Sequence, residues 1–524
     1  MPLPRHVANI LVNAVLDISR CAAIGAIAIG LSGCVTRDDA ASLAVNLPAR
    51  WSNGPTNTTT RPPADIATWW RRFRDPAVDR LVQEALANNP GLAEAQERVI
   101  AARALARAQG AQRLPMVDGS AQAILQSRLN GPASGLNAAG EDFYGDPARR
   151  TVGSFLAGFD ARWELDFFGR VRNTVIAAEN AASAAAEDAR DAQFILVAEV
   201  VRTYLEMRGA EARLSVITRE ISARRGLLGL VQTQQTAGSA GEFDVQRARS
   251  TYEAARARAP AAELAVRVAR QRLATLSGSA RADGRIGVSR RGAVIITTAM
   301  APLPADILRW RADIRRAEYV VAQRGAEAEV ANAELYPRFA LAGTLDVAGN
   351  LLGRPILGTP VTFAGGPAVT IPLVDWGMRV HVLRAREAQW RESVAAYRGA
   401  VLRAVEDVEI ALATIRATRN RLERQRTAVA AARSALDLAD RQYRGGLTGL
   451  TERLQAETDL RQAELELADA TEGASVASVA FFKALGAPPP PEPVPAVIVP
   501  VSFPAAAASP APLAAISVRS SQAQ

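Results

Sequence analysis

Cysteine and histidine are nearly absent from this 524-residue chain, with two of each. No Cys/His cluster with metal-ligand spacing can be built from so few, and no phosphate loop or nucleophile elbow is present. Catalysis would have to rest on carboxylates scattered along helices, so neither an enzyme nor a cofactor is expected. Aromatics are also sparse, at 5%. Long Ala/Arg/Glu/Leu stretches favour extended helices over compact, bulky cores. Extended apolar runs are missing as well. The one uncharged run, residues 21–33, has about thirteen residues and cannot cross a hydrocarbon layer of ~30 Å. Any membrane residence must therefore come from a lipid anchor or from β-strands. The net charge of +9 is spread as Arg interleaved with Glu and Asp along helix faces. That pattern marks solvated, salt-bridged helices and argues against nucleic acid as a partner.

What the chain does have is a copy of itself. Residues 168–278 align without gaps with residues 376–486 at a constant offset. Matched positions include Gly169/Gly377, Val197/Val405, Arg208/Arg416, Gln234/Gln442, Gly238/Gly446, Gly241/Gly449, Asp244/Glu452 and Gly278/Gly486. Each copy reads as a long helix, a Gly-rich reversal and a second long helix. Such a unit cannot bury a globular core alone, so the duplication predicts an assembly of helical hairpins. Residues 171–235 alone would make a rod of roughly 100 Å at 1.5 Å per residue. Their apolar positions are mostly small, which lets neighbouring helices approach closely around a ring.

Ahead of each hairpin lie two strand-like segments, near 116–127 and 151–166 in the first copy and near 339–347 and 360–374 in the second. Phe155, Ala157, Phe159, Ala161, Trp163 and Leu165 alternate with Ser154, Gly158, Asp160, Arg162 and Glu164, leaving Leu156 as the exception. Period-two alternation marks a half-buried strand. Four strands cannot close a barrel, and open edges are forbidden in lipid. They form either a small soluble sheet or one share of a barrel pooled by several chains, with the aromatic face favouring the second. Helical patterning opens near Asp75-Pro76, breaks at Asn88-Asn89-Pro90 and stops at Leu114-Pro115, since proline ends a helix. In the second copy a helix over 304–336 stops at Tyr336-Pro337.

The expected organisation is a signal peptide over 1–33, an extended tether over 34–63, a first repeat over 64–303, a second over 304–486 and a disordered Pro/Ala-rich tail over 487–524. The first repeat includes an equatorial segment over 279–303. The 21–33 run suits a signal-peptide core. Its ending, Leu31-Ser32-Gly33-Cys34, resembles a bacterial lipobox, in which the cysteine thiol receives the lipid; otherwise Cys34 is a chance cysteine behind an ordinary cleavage site. Val35 rather than Asp follows, so nothing marks retention in an inner membrane.

Several motifs occur in a telling order. They are Trp69-Trp70…Phe73…Asp75-Pro76, Trp163 to Arg170 (WELDFFGR) with its echo Pro372 to Gly377 (PLVDWG), Leu308 to Ile314 (LRWRADI), Ala333 to Pro337 (AELYP) and Phe481…Ala484-Leu485-Gly486. Over roughly residues 65–486 the chain resembles the outer membrane factor family of TolC-type trimeric tunnel proteins, and within it the lipidated NodT-like branch that serves RND efflux pumps. Where that family usually has Arg-Pro, this chain has Arg311-Ala312.

The resemblance implies a mainly α fold with a membrane β-barrel part. Duplicated hairpins would form an α-helical tunnel, and four strands per chain would contribute to a 12-stranded trimeric barrel. It implies a homotrimer in outer-membrane lipid that meets a periplasmic adaptor (membrane fusion) protein and an inner-membrane RND-type transporter, with no chemistry of its own. A type I secretion duct and a periplasmic coiled-coil adaptor or scaffold are the alternatives.

The reversals, with Thr236, Gly238, Ser239 and Gly241 in the first copy and Arg444, Gly446, Thr448 and Gly449 in the second, are either plain turns or the tips that contact the adaptor. Asp244 and Glu452 either complement helix dipoles or, tripled by symmetry, form a cation-attracting periplasmic gate; the resemblance adds Tyr443 as a locking residue. Gln455 stands where the family commonly has a second aspartate. Phe155, Phe159 and Trp163 would face lipid, leaving Asp160, Arg162 and Glu164 towards the lumen. Replacing Cys34 with Ser should abolish labelling by radioactive palmitate; persistent labelling would show that the motif is misread.

Overall fold

The computed structural model describes residues 51–52, 66–127, 135–136, 142–143, 151–282, 311–350 and 361–486. The signal segment with Cys34, most of the tether and of the 130–150 loop, residues 283–303 of the equatorial segment, the start of the second repeat through Trp310 and the 487–524 tail lie outside these.

The element order follows the duplication. A 3-10 turn over Ile66–Phe73 precedes α1 (Pro76–Asn88), α2 (Pro90–Ala111), β1 (Met116–Ser127), the short β2 (Gly135–Leu136) and β3 (Asp142–Phe143), and β4 (Thr151–Leu165). The first hairpin is α3 (Arg170–Thr236) and α4 (Glu242–Leu276). The second copy supplies α5 (Ala312–Ala333), β5 (Arg338–Asn350), β6 (Val361–Thr370), α6 (Met378–Arg444) and α7 (Leu450–Leu485). The rods α3 and α6 have 67 residues each, about 100 Å of helix. No helix among the described residues is long and apolar enough to cross a membrane.

Local chemistry explains the boundaries. Asp75 caps α1 by accepting the Ala77 N–H at 3.0 Å, with Pro76 in the first helical position where no N–H is needed. Asn89 ends α1 and begins α2, its side chain accepting the Leu92 N–H at 3.0 Å ahead of Pro90. The two rods start alike. Gly169 (φ 79°) and Gly377 (φ 83°) take the left-handed conformation. Asp166 then accepts the N–H of Val171 (3.0 Å) and Arg172 (2.6 Å), while Asp375 accepts those of Gly377 (3.0 Å) and Arg379 (3.3 Å). A carboxylate on the exposed first-turn N–H groups complements the helix dipole.

The four long strands form one antiparallel sheet in the order β1-β4-β5-β6. The helices joined to them pack in the same sequence, α2 on α3, α3 on α5 and α5 on α6. Further down, the hairpin helices form a second row, α4-α3-α7-α6. Between the rows the mid-section is clamped by aromatics. Trp69 stacks on Phe482 (4.9 Å between centroids), and both lie with Phe73, Val200, Tyr204 and Leu273 in one core. The Tyr204 hydroxyl donates to Asp75 at 2.6 Å; burial, and then this bond, push its ionisation well above the usual tyrosine range. The segment read as a featureless tether carries a fixed point, since Trp51 is buried in the second core with Val401, Val408 and Phe481.

Each hairpin's return helix ends against the start of the short helix that opens the strands of its own copy, α4 against α2 and α7 against α5. Asn89 Nδ2 donates to the Leu276 carbonyl at 2.9 Å, and Arg311 donates to the Ala484 carbonyl at 2.8 Å. Both junctions turn on a glycine with positive φ, Gly278 (75°) and Gly486 (78°). A Cβ on Gly278 would lie 2.3 Å from the Asn88 carbonyl oxygen. Gly278→Ala is therefore expected to cost about 1–3 kcal/mol, read as a lowered thermal midpoint of the purified protein. An unchanged midpoint would mean that the junction yields freely.

Candidate functional site

The two hairpin reversals are built identically. At the end of α3, the Gly238 N–H donates to the Gln235 carbonyl (2.9 Å) and the Ser239 N–H to Gln234 (2.9 Å). At the end of α6, the Gly446 N–H donates to Tyr443 (3.0 Å) and the Leu447 N–H to Gln442 (2.9 Å). These are paired Schellman closures, which require φ > 0 at Gly238 (75°) and Gly446 (69°). Gly241 and Gly449 serve the reversals differently. Both are extended (φ −88° and −78°) and act as N-caps of α4 and α7. Thr236 and Ser239 close their hydroxyls onto the Thr233 and Gln234 carbonyls, at 2.8 and 3.0 Å. The buried Thr448 hydroxyl oxygen has no hydrogen-bond partner among the described residues.

Asp244 and Glu452 sit three residues past those caps. Asp244 accepts the Gly241 N–H at 3.4 Å. The Glu452 carboxylate lies over Gly449, where an added Cβ would meet its Oε2 at 2.9 Å. Each thus serves its own helix start, as dipole compensation requires. Asp244 is half-buried and Glu452 exposed. Gln455, in place of a second aspartate, donates to Asp459 at 2.8 Å.

The tips of the two hairpins also hold each other. Leu227, Val231, Val245, Ala248 and Leu454 form a small core that draws on three helices. Above it the Tyr443 hydroxyl donates to Gln234 at 3.2 Å, and Arg247 donates to Thr451 at 2.8 Å. Asp440 bridges Arg453 (2.8 Å) and Arg444 (2.7 Å). The Arg453 hydrogen bond, supported by Arg444 and opposed by partial burial, holds its carboxyl below the usual aspartate range. Two large apolar side chains stand out in solvent at the tips, Phe243 (74% exposed) and Leu447 (79%). The sequence reading missed these two and the Asp440–Arg453 link. The link joins positions 13 apart across a reversal, and only the closure geometry brings them together.

The sheet is two-faced. Register places Val117, Gly119, Ala121 and Ala123 of β1 beside Phe155 to Trp163 of β4, Leu341 to Val347 of β5, and Val361, Phe363 and Val369 of β6. That entire face is apolar. Asp118, Asp160, Arg162, Glu164, Arg338, Thr344 and Asp346 share the other face, with Leu156 among them. On the apolar face the Phe159 ring lies across Gly119, and Phe363 is 76% exposed. The Trp163 indole donates to the Arg113 carbonyl at 3.0 Å, giving an apolar body with a satisfied polar edge. No group of His, Cys, Asp and Glu among the described residues could hold a metal ion.

A two-faced, open-edged sheet carried on a row of helices that includes two rods of ~100 Å defines one protomer of a membrane barrel joined to a helical tunnel. The family model described as outer membrane efflux protein matches residues 81–279 and 303–487, and the chain belongs to that family. It is 30% identical over 423 residues to outer membrane protein OprJ of Pseudomonas aeruginosa, covering 80% of this chain and 86% of that one. Nodulation protein T of Rhizobium leguminosarum bv. trifolii is 27% identical over 445 residues, covering 84% and 92%. Among solved structures, the open state of the Neisseria gonorrhoeae MtrE outer membrane channel superposes with a TM-score of 0.74 at 25% identity, covering 85% of this chain and 96% of that one.

A carboxylate whose pKa is depressed on folding contributes stability above its unfolded pKa, about 3.9 for aspartate, and loses it as pH falls through the lower folded value. For Asp440 the contribution is complete at neutral pH. Amide protection factors over residues 441–454 should therefore drop as the pH is lowered from about 4. In Asp440→Asn they should be low at every pH, and an unchanged profile in that variant would remove the link.

Proposed function

We propose that the protein is the exit duct of a tripartite efflux pump. Three copies pool their strands into a twelve-stranded barrel in the outer membrane. The hairpins form a tunnel through the periplasm, and Cys34 carries a lipid anchor. Small molecules delivered by an inner-membrane RND-type transporter pass through without chemistry or energy input from the duct. The observation that carries this reading is the sheet, apolar on one face, charged on the other and open at both edges. In hydrocarbon every unpaired backbone group costs several kcal/mol. Each free edge exposes roughly half of its strand's N–H and C=O groups. An isolated copy would therefore pay tens of kcal/mol, and joining edges to edges removes that cost. A periplasmic coiled-coil scaffold has no use for such a sheet.

At the far end the tips meet a periplasmic adaptor. The docking surface comprises Thr236, Gly238, Ser239 and Gly241 of the first reversal and Arg444, Gly446, Thr448 and Gly449 of the second. The exposed Phe243 and Leu447 give a protein partner apolar anchors there. Threefold symmetry multiplies Asp244 and Glu452 into six carboxylates near one constriction, and Tyr443 ties the two hairpins in the closed state. In planar bilayers, replacing Asp244 and Glu452 with Ala should raise single-channel conductance or weaken block by multivalent cations. Unchanged traces would remove the gate assignment, and a protein that forms no channel at all would end the duct reading.

A further inference from the structure

The two hairpins repeat each other in sequence but not in stiffness. In α3, Gly226 and Gly229 stand about one turn apart, both exposed, and a Cβ at either would meet no atom within 4 Å. α3 is flanked by α4 and α7 of its own chain, and no packing contact or turn there calls for glycine. Each glycine lowers the helical equilibrium about fivefold relative to alanine. The counterparts in α6 are Ser434 and Asp437. On the return helix α4, Pro260 lacks the N–H that would bond the Arg256 carbonyl. Its counterpart in α7 is the buried Ala468. From Arg256 to Ala265 no side chain of α4 is buried, whereas the matching stretch of α7 buries Ala468 and Ala470. Glycine pairs and proline are where helices bend.

Above these weak points the two hairpins are locked together. Arg213 of α3 pairs with Asp469 and Glu472 of α7, and a Cβ on Gly209 would overlap the Glu472 carboxylate. Arg219 reaches Glu464 of α7, which also pairs with Arg433 of α6. The buried Glu220 accepts from Arg224 at 3.0 Å, and Arg224 donates to Thr458 at 3.1 Å. Down to Arg224, then, α3 is fixed to the second hairpin. Below it the first tip carries a core of its own. Leu227, Val231, Val245 and Ala248 belong to that tip, and Leu454 alone of the five comes from the other hairpin. Tyr443 to Gln234 and Arg247 to Thr451 also cross between the tips. One ion pair bridges the weak points themselves. Arg258, on the tip side of Pro260, donates at 3.3 Å to Glu220, on the far side of Gly226. The second copy has Ala428 and Glu466 at those positions and cannot form it.

We propose that the tip of the first hairpin, residues 230–259, is a hinged body that turns about Gly226–Gly229 and Pro260 while the second hairpin stays fixed. The Glu220–Arg258 pair is its latch. Turning separates Gln234 from Tyr443 and Arg247 from Thr451, and it carries Asp244 away from Glu452. Access at the constriction then changes through one hairpin per copy. That this motion opens a duct rests on the proposed function; the hinge itself is a property of the single chain.

Amide hydrogen exchange in the full-length protein extracted in detergent is the test. Residues 230–259 should exchange together, and faster than their counterparts 438–467. Gly226→Ala with Gly229→Ala should slow exchange on the order of tenfold in α4 over 242–259, which neither substitution touches. Arg258→Ala should speed exchange over 230–259 and leave 205–220 unchanged. Equal exchange in the two tips, or a slowing confined to α3, overturns the hinge. In planar bilayers the double alanine variant should spend several-fold less time open than the parent channel. An open fraction that ignores the alanines overturns the hinge as the opening device. A parent protein that forms no channel overturns the duct reading, while the exchange pattern still decides the hinge.

Discussion

Unpaired backbone at the two ends of a four-stranded sheet is the constraint that orders this molecule. An N–H without a partner is tolerable in water and very costly in hydrocarbon, so a sheet with an apolar outer face must have no ends. One chain cannot satisfy this, because four strands are too few to curl around a cavity. The requirement propagates downwards. Each long strand is continuous with a helix, so the order β1-β4-β5-β6 dictates the row α2-α3-α5-α6 beneath it. Closing the sheet would close the helices into a wall at the same stroke.

Small residues make the wall possible. Ala182, Ala184, Ala198, Ala326, Ala328, Ala331 and Ala404 are buried where helices cross, and side chains of that size let backbones approach closely. The large aromatics gather elsewhere, at mid-height. There Trp69, Phe73, Tyr204, Phe482 and, separately, Trp51 lock the start of the described chain to the ends of both hairpins. The molecule is thus stiff in its middle. At the tips it is held by a five-residue apolar core and a few polar links, Tyr443 to Gln234, Arg247 to Thr451 and Asp440 to Arg453. Segments with little buried apolar contact are those that open at low cost. A duct that must admit cargo at one end only is served by that gradient.

Much of the architecture is legible in the sequence because it is periodic. The duplicated glycines gave the hairpins and their length, alternation in Phe155 to Leu165 gave the face of β4, and Pro76, Pro90, Pro115 and Pro337 gave the boundaries. What escaped was whatever depends on geometry rather than pattern. Gly241 and Gly449 look like turn glycines but are extended N-caps, since the Schellman closures already use Gly238 and Gly446 for the reversal. Trp51 sits in a stretch without periodicity, and nothing in its neighbours foretells burial against α6. The Asp440–Arg453 pair crosses a reversal, where spacing along the chain says nothing of distance in space.

Incompleteness of the single chain is the central claim, and counting chains tests it most directly. Native mass spectrometry of the protein extracted gently from outer membranes should give one species containing three copies, with no folded monomer released before the detergent is stripped. A stable single-copy species that keeps its sheet would contradict the account.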